Sequence, residues 1–271
     1  MKTGVLKGIA LGALAGLLTG VLAGCTLDIA PLFSEYENAE LYQSGNFTYQ
    51  AAEVTEIEID WIAGEVNIVQ SAEETLSVSE KYVAKEETER VHYYLDDSIL
   101  HIKFCASDFK GSIHERDKKL TVEIPAGVYL EIHSVSSPVD LGSVNLSEIS
   151  VTNVSGSIEG ERLTAKSVRL ETVSGKIEIG EVYADSLALQ NVSGNIFATL
   201  SRATNAEIEN TSGNVELTLK ENLGTTIKVS LVTGKVISDL EYTQSGSRFY
   251  FYGGGTNSLR VDLVSGNLTV K

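Results

Sequence analysis

Basic clusters are missing from this chain. Its 21 Lys and Arg stand against 37 Asp and Glu, a net charge of −16. No Lys/Arg run with interleaved aromatics occurs, and a field of this sign repels phosphate backbones, so nucleic acid is excluded as a partner. Anionic lipid head groups are repelled too, so any membrane contact has to come from an anchor. Solubility is the simplest account of the acidic excess. Cysteine is scarce: there are two, Cys25 and Cys105, and neither has a CxxC neighbour, which leaves a zinc site unsupported. Cys105 lies in the apolar run Ile102-Lys103-Phe104-Cys105 and reads as a buried, inert thiol. The four histidines (His92, His101, His114, His133) share no metal-ligand spacing, and the Gly-Gly-x-Gly-x-Asp calcium repeat is absent. No metal or other cofactor is expected. Helix signals are nearly absent as well, apart from a short stretch at Ala84 to Arg90.

What is present begins with an export-type N-terminus. Lys2 and Lys7 form a basic start, and Gly8 to Gly24 carries no charge and is rich in Leu, Ala and Gly. It closes in Leu22-Ala23-Gly24-Cys25, which resembles the lipobox of bacterial lipoproteins. The resemblance implies cleavage after residue 24 and lipid attachment at Cys25, with two or more acyl chains sufficient for stable anchoring. The other reading is an uncleaved transmembrane anchor, since residues 8–27 are about the ~20 apolar positions a span requires. Both readings put the rest of the chain on the extracytoplasmic side of the cell membrane. Removing residues 1–24 removes only Lys2 and Lys7, leaving 37 acidic against 19 basic residues, or −18. If Cys25 is lipidated, Cys105 has no disulfide partner, and the core alone must hold the fold. Residues 25–46 read as an acidic spacer on which Tyr36 and Tyr42 are positioned to dock, and 47–271 as the folded domain.

Within that domain a Val-Ser-Gly-x-Ile unit recurs. Its glycine position falls at Ser137, Gly156, Gly175, Gly194 and Gly213 at intervals of 19, then at Gly234 and Gly266. Gly64 heads an eighth copy. A fixed period near 20 residues marks a stacked solenoid in which one repeat is one rung. Around each glycine, apolar residues fall at −7, −5, −2, +2 and +4; for Gly175 these are Val168, Leu170, Val173, Ile177 and Ile179. The pairs −7/−5 and +2/+4 each fit one face of a strand, and the odd step to −2 reads as a corner. Glycine there permits positive φ. The preceding Ser or Thr is expected to form a stacked hydroxyl column, and Asn at −3 and +1 suits the same turn.

Two segments depart from the repeat. Residues 70–125 hold strand-like runs that read as an antiparallel excursion capping the first rung. Within them Asp96-Asp97-Ser98 reads as a turn. Residues 241–256 insert Phe249-Tyr250-Phe251-Tyr252 between the last two copies, and alternation is expected to turn the phenylalanines inward and leave the tyrosines at the rim. Catalysis on a β-solenoid needs acids and bases clustered on neighbouring rungs. Asp140, Asp185, Asp239 and Asp262 occupy four different offsets, so no column of aspartates forms.

The Val-Ser-Gly-x-Ile corners, the lead-in Leu120 to Gly127 and the closing Tyr252 to Leu268 resemble an adhesin-like β-strand-repeat family of bacteria. The likeness covers about residues 55–271, and it implies an exported or membrane-anchored, all-β, solenoid-like domain. The expected fold is a parallel β-solenoid of about 19-residue, two-strand rungs. The expected function is a non-catalytic surface module acting in adhesion or scaffolding, with a cell-surface protein or glycan as partner. The alternatives are envelope sensing beside a membrane signalling protein and, third, a carbohydrate-active enzyme.

Overall fold

The computed structural model describes residues 36–50, 53–73, 75–107, 109, 118–220, 224–253 and 257–271. Cys25 and His114 lie outside them. Alternating apolar residues fold the chain into strands that stack in parallel, one rung on the next, around a single hydrophobic core. The 19-residue period appears directly as register: Ile158 pairs with Ile177, Ile177 with Ile196, and Ile196 with Val215. Each column of the core is therefore one sequence position repeated.

The stack does not follow chain order. Ala63 pairs with Ser136, and the array then runs in sequence through Gly156, Gly175, Gly194 and Gly213. The next rung is the last in the chain. Strand Asn257–Ser265 lies parallel to Ile196–Ser212 on one side and to Thr225–Thr233 on the other. Its continuation Leu268–Val270 is likewise flanked by Val215–Leu219 and Val236–Ser238. The Gly266 rung is thus inserted between those of Gly213 and Gly234, so the molecule ends spatially at Gly234.

The corners have two exacting features. All seven repeat glycines adopt positive φ, from +91° at Gly64 to +157° at Gly175. In the regular array they also leave no room for a side chain. A Cβ on Gly194 would sit 1.9 Å from the Gly175 carbonyl oxygen, and one on Gly234 would sit 1.8 Å from that of Gly266. The amides of Gly156, Gly175, Gly194, Gly213 and Gly266 each donate to the backbone carbonyl of the Ser or Thr one rung onward, for example Gly175 to Ser193 at 3.1 Å and Gly266 to Thr233 at 3.1 Å. The Ser and Thr side chains themselves are exposed. Asparagine does the side-chain bonding between rungs. Asn191 Nδ2 donates to the Gly175 carbonyl at 2.8 Å, and Asn214 Oδ1 accepts from the Asn267 amide at 2.9 Å.

Two inward columns differ from the sequence expectation. Alternation runs unbroken from −7 and −5 to −3, so Trp61, Ser134, Asn153, Thr172, Asn191, Asn210 and Leu263 are buried at that position. The valines at −2 then face away from the core. They are covered in mid-array (Val154 and Val173) and open at the end, where Val264 is 50% and Val232 76% exposed. A further inward pair sits at +7/+9, as Val144/Leu146, Leu163/Ala165 and Val182/Ala184. Each rung consequently lines the core with three stretches, joined in one bent strand such as Ile158–Ser174.

The N-terminal end is capped in layers. Ile99–Lys103 and Lys119–Ile124 extend the stack in parallel; the strands outside them, His92–Asp96 and Thr75–Lys81, run antiparallel, as do Gln43–Ser44 and Phe47–Gln50 beyond those. Asp97 makes the intervening turn at φ +53°. Lys118 is fully buried in this cap. Its Nζ lies 2.8 Å from Glu80 Oε1, donates to the Glu89 carbonyl at 2.6 Å, and stands over the rings of Phe104, Trp61 and Tyr82. Cys105 is fully buried beside it, and burial pushes its thiol up to about 11, which leaves it protonated at neutral pH. Tyr36 docks on this end too: its amide donates to Ser107 Oγ at 2.6 Å and its hydroxyl to the Cys105 carbonyl at 3.1 Å. With Gln43–Ser44 paired to His92 and Tyr93, the folded unit reaches back to residue 36.

At the far end, Thr243–Ser245 and Phe249–Tyr252 form an antiparallel hairpin on Thr225–Lys228. Here the sequence expectation is reversed. Tyr250 and Tyr252 are buried, while Phe249 is 38% exposed. The cause is register: Tyr250 lies opposite Ile227 and Tyr252 opposite Thr225, and directly opposed residues share a face.

Candidate acidic groove

A wide hollow on the surface follows from the bend between the first and second inward stretches of each rung. Gly160 and Gly180 occupy that bend. A Cβ on Gly180 would approach the Glu161 carbonyl oxygen to 2.5 Å, so the two chains run close and the surface beside them stays low. A register slip between Ile179 and Val182 marks the same place. The result is a groove of about 520 Å³ crossing five rungs.

Its wall is a carboxylate column. Register pairs Asp140 with Glu159 and Glu159 with Glu178, and then Phe197 with Glu216 in the two rungs that follow. All five residues line the groove, with Glu161, Thr199 and Thr218 across from them. They share the +3 offset, one rung or about 4.8 Å apart. A search for aspartate columns alone passes over this one, because three of its four acids are glutamate. Counting both carboxylates at each offset finds it.

Lysines trim the charge without filling the groove. Lys176 Nζ lies 3.2 Å from Glu159 and 2.6 Å from Glu178, and Lys271 donates to Glu216 at 2.7 Å. At the rim, Glu181 binds both Arg162 and Lys220 at 2.9 Å. Glu159 is held below the usual carboxylate range, first by a hydrogen bond from Ser157 and then by Lys176, against the opposing effect of partial burial. Such groups present fixed negative charge. A general acid needs the opposite displacement.

A smaller cavity of about 150 Å³ runs along the other side of the corners. The −2 valines 154, 173 and 192 line it, facing Thr152, Glu171, Gln190 and Glu209, with Asn153, Thr172 and Asn191 at its base.

Two carboxylate trios have spacings suited to a cation, Glu56/Glu58/Glu131 and Glu207/Glu209/Asp262. The chain sets basic side chains beside both. His101 Nδ1 lies 2.9 Å from Glu58 and His133 Nε2 3.5 Å from Glu131. Arg260 spans Glu207 at 3.2 Å and Asp262 at 2.6 Å. Burial works to lower the His133 pKa, but the Glu131 hydrogen bond and the Asp60 charge outweigh it and the net displacement is upward.

The family model for Toastrack DUF4097 matches residues 54–199 and again 129–271. Among solved structures, the chain is similar to a "putative adhesin" of Bacteroides fragilis at 16% identity and a TM-score of 0.47, over 84% of this chain and 97% of that one. It is also similar to a "putative cell adhesion protein" of Clostridium sporogenes, at 14% identity and a TM-score of 0.41, over 85% and 99%. No curated protein matches it.

Proposed function

The chain belongs to the Toastrack DUF4097 family, and from that premise we propose that it is a membrane-anchored, extracytoplasmic binding module that retains its ligand without turning it over. One observation carries this reading: a groove of about 520 Å³ in which carboxylates recur at rung spacing beside a half-buried aromatic, Phe197. Repeated negative charge along a straight trough suits an extended polymer bearing cationic groups, and Phe197 offers an apolar face for a sugar ring. We take amino-sugar-containing surface polymers as the ligand class. Adhesion follows when such a polymer belongs to another cell.

Anchoring at Cys25 is supported by the sequence Leu22-Ala23-Gly24 before it and by the docking of Tyr36. Only 11 positions separate Cys25 from Tyr36, a reach of at most about 40 Å. The capped N-terminal end then lies nearest the membrane, and the groove rises away from it.

The test is binding of a chitosan oligomer and its fully acetylated counterpart to cells displaying the full chain. We expect retention of the cationic oligomer, weakening with salt, and a loss of about fivefold or more in Glu159→Gln/Glu178→Gln and in Phe197→Ala. Equal retention by the double variant, or hydrolysis of the oligomer, sinks the reading. Globomycin treatment or Cys25→Ala should leave a larger, uncleaved precursor; an unchanged size in both cases favours a transmembrane anchor.

A further inference from the structure

The two ends of the stack are finished differently. At the N-terminal end, strands lie outside both halves of the Gly64 corner. At the Gly234 end the covering hairpin stops at Lys228, with one further bond from the Val229 amide to the Arg248 carbonyl at 2.8 Å. Ser230 to Ser238 has no strand outside it among the described residues.

That edge is open in hydrogen bonding as well. In the neighbouring rung, the Gly266 amide donates to Thr233 and the Leu268 amide to Lys235. The equivalent amides of the terminal rung are those of Gly234 and Val236, and they point to where a further rung would lie. Around them stand the exposed apolar side chains: Val232 (76%), Val264 (50%) and Ile237 (47%), with Leu240, Tyr242 and Phe249 nearby. An unprotected strand edge bordered by apolar side chains is a template for pairing with another strand.

Charge identifies the occupant. The edge strand Val236–Ser238 has Lys235 immediately before it and Asp239 and Glu241 just after it, all exposed. A strand positive at one end and negative at the other complements its own copy when the two run antiparallel, and opposes it when they run parallel. Antiparallel pairing about a two-fold axis is also the closed, isologous arrangement, which stops at two chains. We propose that two copies of this chain associate through their Gly234 ends, with Val236–Ser238 pairing antiparallel to its counterpart and Lys235 of each chain facing Asp239 of the other. Register sets Ile237 in the groove's own column, two rungs beyond Glu216, and none of Lys235, Ile237 and Asp239 lines the groove.

The experiment measures self-association of the full chain in detergent micelles by energy transfer between separately labelled copies. Lys235→Glu and Asp239→Lys should each weaken dimerisation about threefold or more, and the double variant should restore it, because the pair is exchanged rather than lost. Ile237→Asp should weaken it about tenfold. If Ile237→Asp shifts the melting transition, the charge exchange decides, since both of its residues are exposed. A chain that stays monomeric at about 100 μM, or a double variant no better than either single one, overturns the proposal. So does association that none of these changes touches.

Discussion

Alanine at Gly194 would bring a methyl group within 1.9 Å of a backbone carbonyl in the adjacent rung, at a residue whose φ is +144°. Neither partner is a flexible side chain, so the stack itself must move, and a loss of about 3 kcal/mol or more is expected. Gly45 provides the control. Its φ is +94°, but nothing lies within 4 Å of the position a Cβ would take. Alanine there should cost about 1 kcal/mol, from backbone strain alone. Denaturant midpoints of the two variants separate close approach from conformational preference, and equal losses would show that rung contact at the corners matters little. The corner glycines were legible in the sequence because a positive φ and a missing Cβ leave one residue type and a fixed interval. The column at −3 was not. Asn153, Asn191 and Asn210 look like surface turn residues until the fold shows their amides turned inward on the corner carbonyls of Ser137, Gly175 and Gly194, while the valines beside them face out.

Strand identity could be read from alternation, but strand order could not. Nothing in residues 257–271 distinguishes a rung that follows Gly234 from one that precedes it, since both satisfy the same apolar template. The structure decides by joining Asn257–Ser265 to two strands at once. Deleting residues 257–271 should therefore do more than shorten the array. It removes every described strand pairing between Thr225–Tyr252 and the rungs before it, and exposes the faces of Ile196–Ser212 and Val215–Leu219. Hydrogen exchange should show protection lost throughout 225–252 and reduced in 205–219, with the strands from 129 to 193 keeping theirs. Protection persisting in 225–252 would mean that the terminal unit holds together by itself. The same ambiguity hid the orientation of Phe249 to Tyr252: alternation defines two faces, and only the pairing with Ile227 says which one is inside.

Across the whole molecule, charge is the least local property and the easiest to misjudge from sequence. The excess of acid reads as plain solubility, and much of it is. Yet Asp140, Glu159, Glu178 and Glu216 are gathered along one trough by register alone. Crowded like charges raise the energy of the compact state, and counter-ions relieve this within about 8 Å at physiological ionic strength. Thermal stability at neutral pH should accordingly rise by a few degrees between about 10 and 150 mM salt. Glu178→Gln should show a smaller rise, and an unchanged response would mean that Lys176 already balances the column.

The inserted rung also bears on force. For a chain held at its N-terminus and pulled by whatever grips the far end, load passes from the Gly234 rung to the Gly213 rung along two routes. One is the sheet bonding through Asn257–Ser265 and Leu268–Val270; the other is the covalent chain from Leu219 to Thr225, which skips a full rung. The bonded route bears tension first. When it parts, the terminal unit swings away on that unbroken covalent tether. The molecule yields in a step at its tip before any rung nearer the held N-terminus is disturbed, as a fuse protects the circuit behind it.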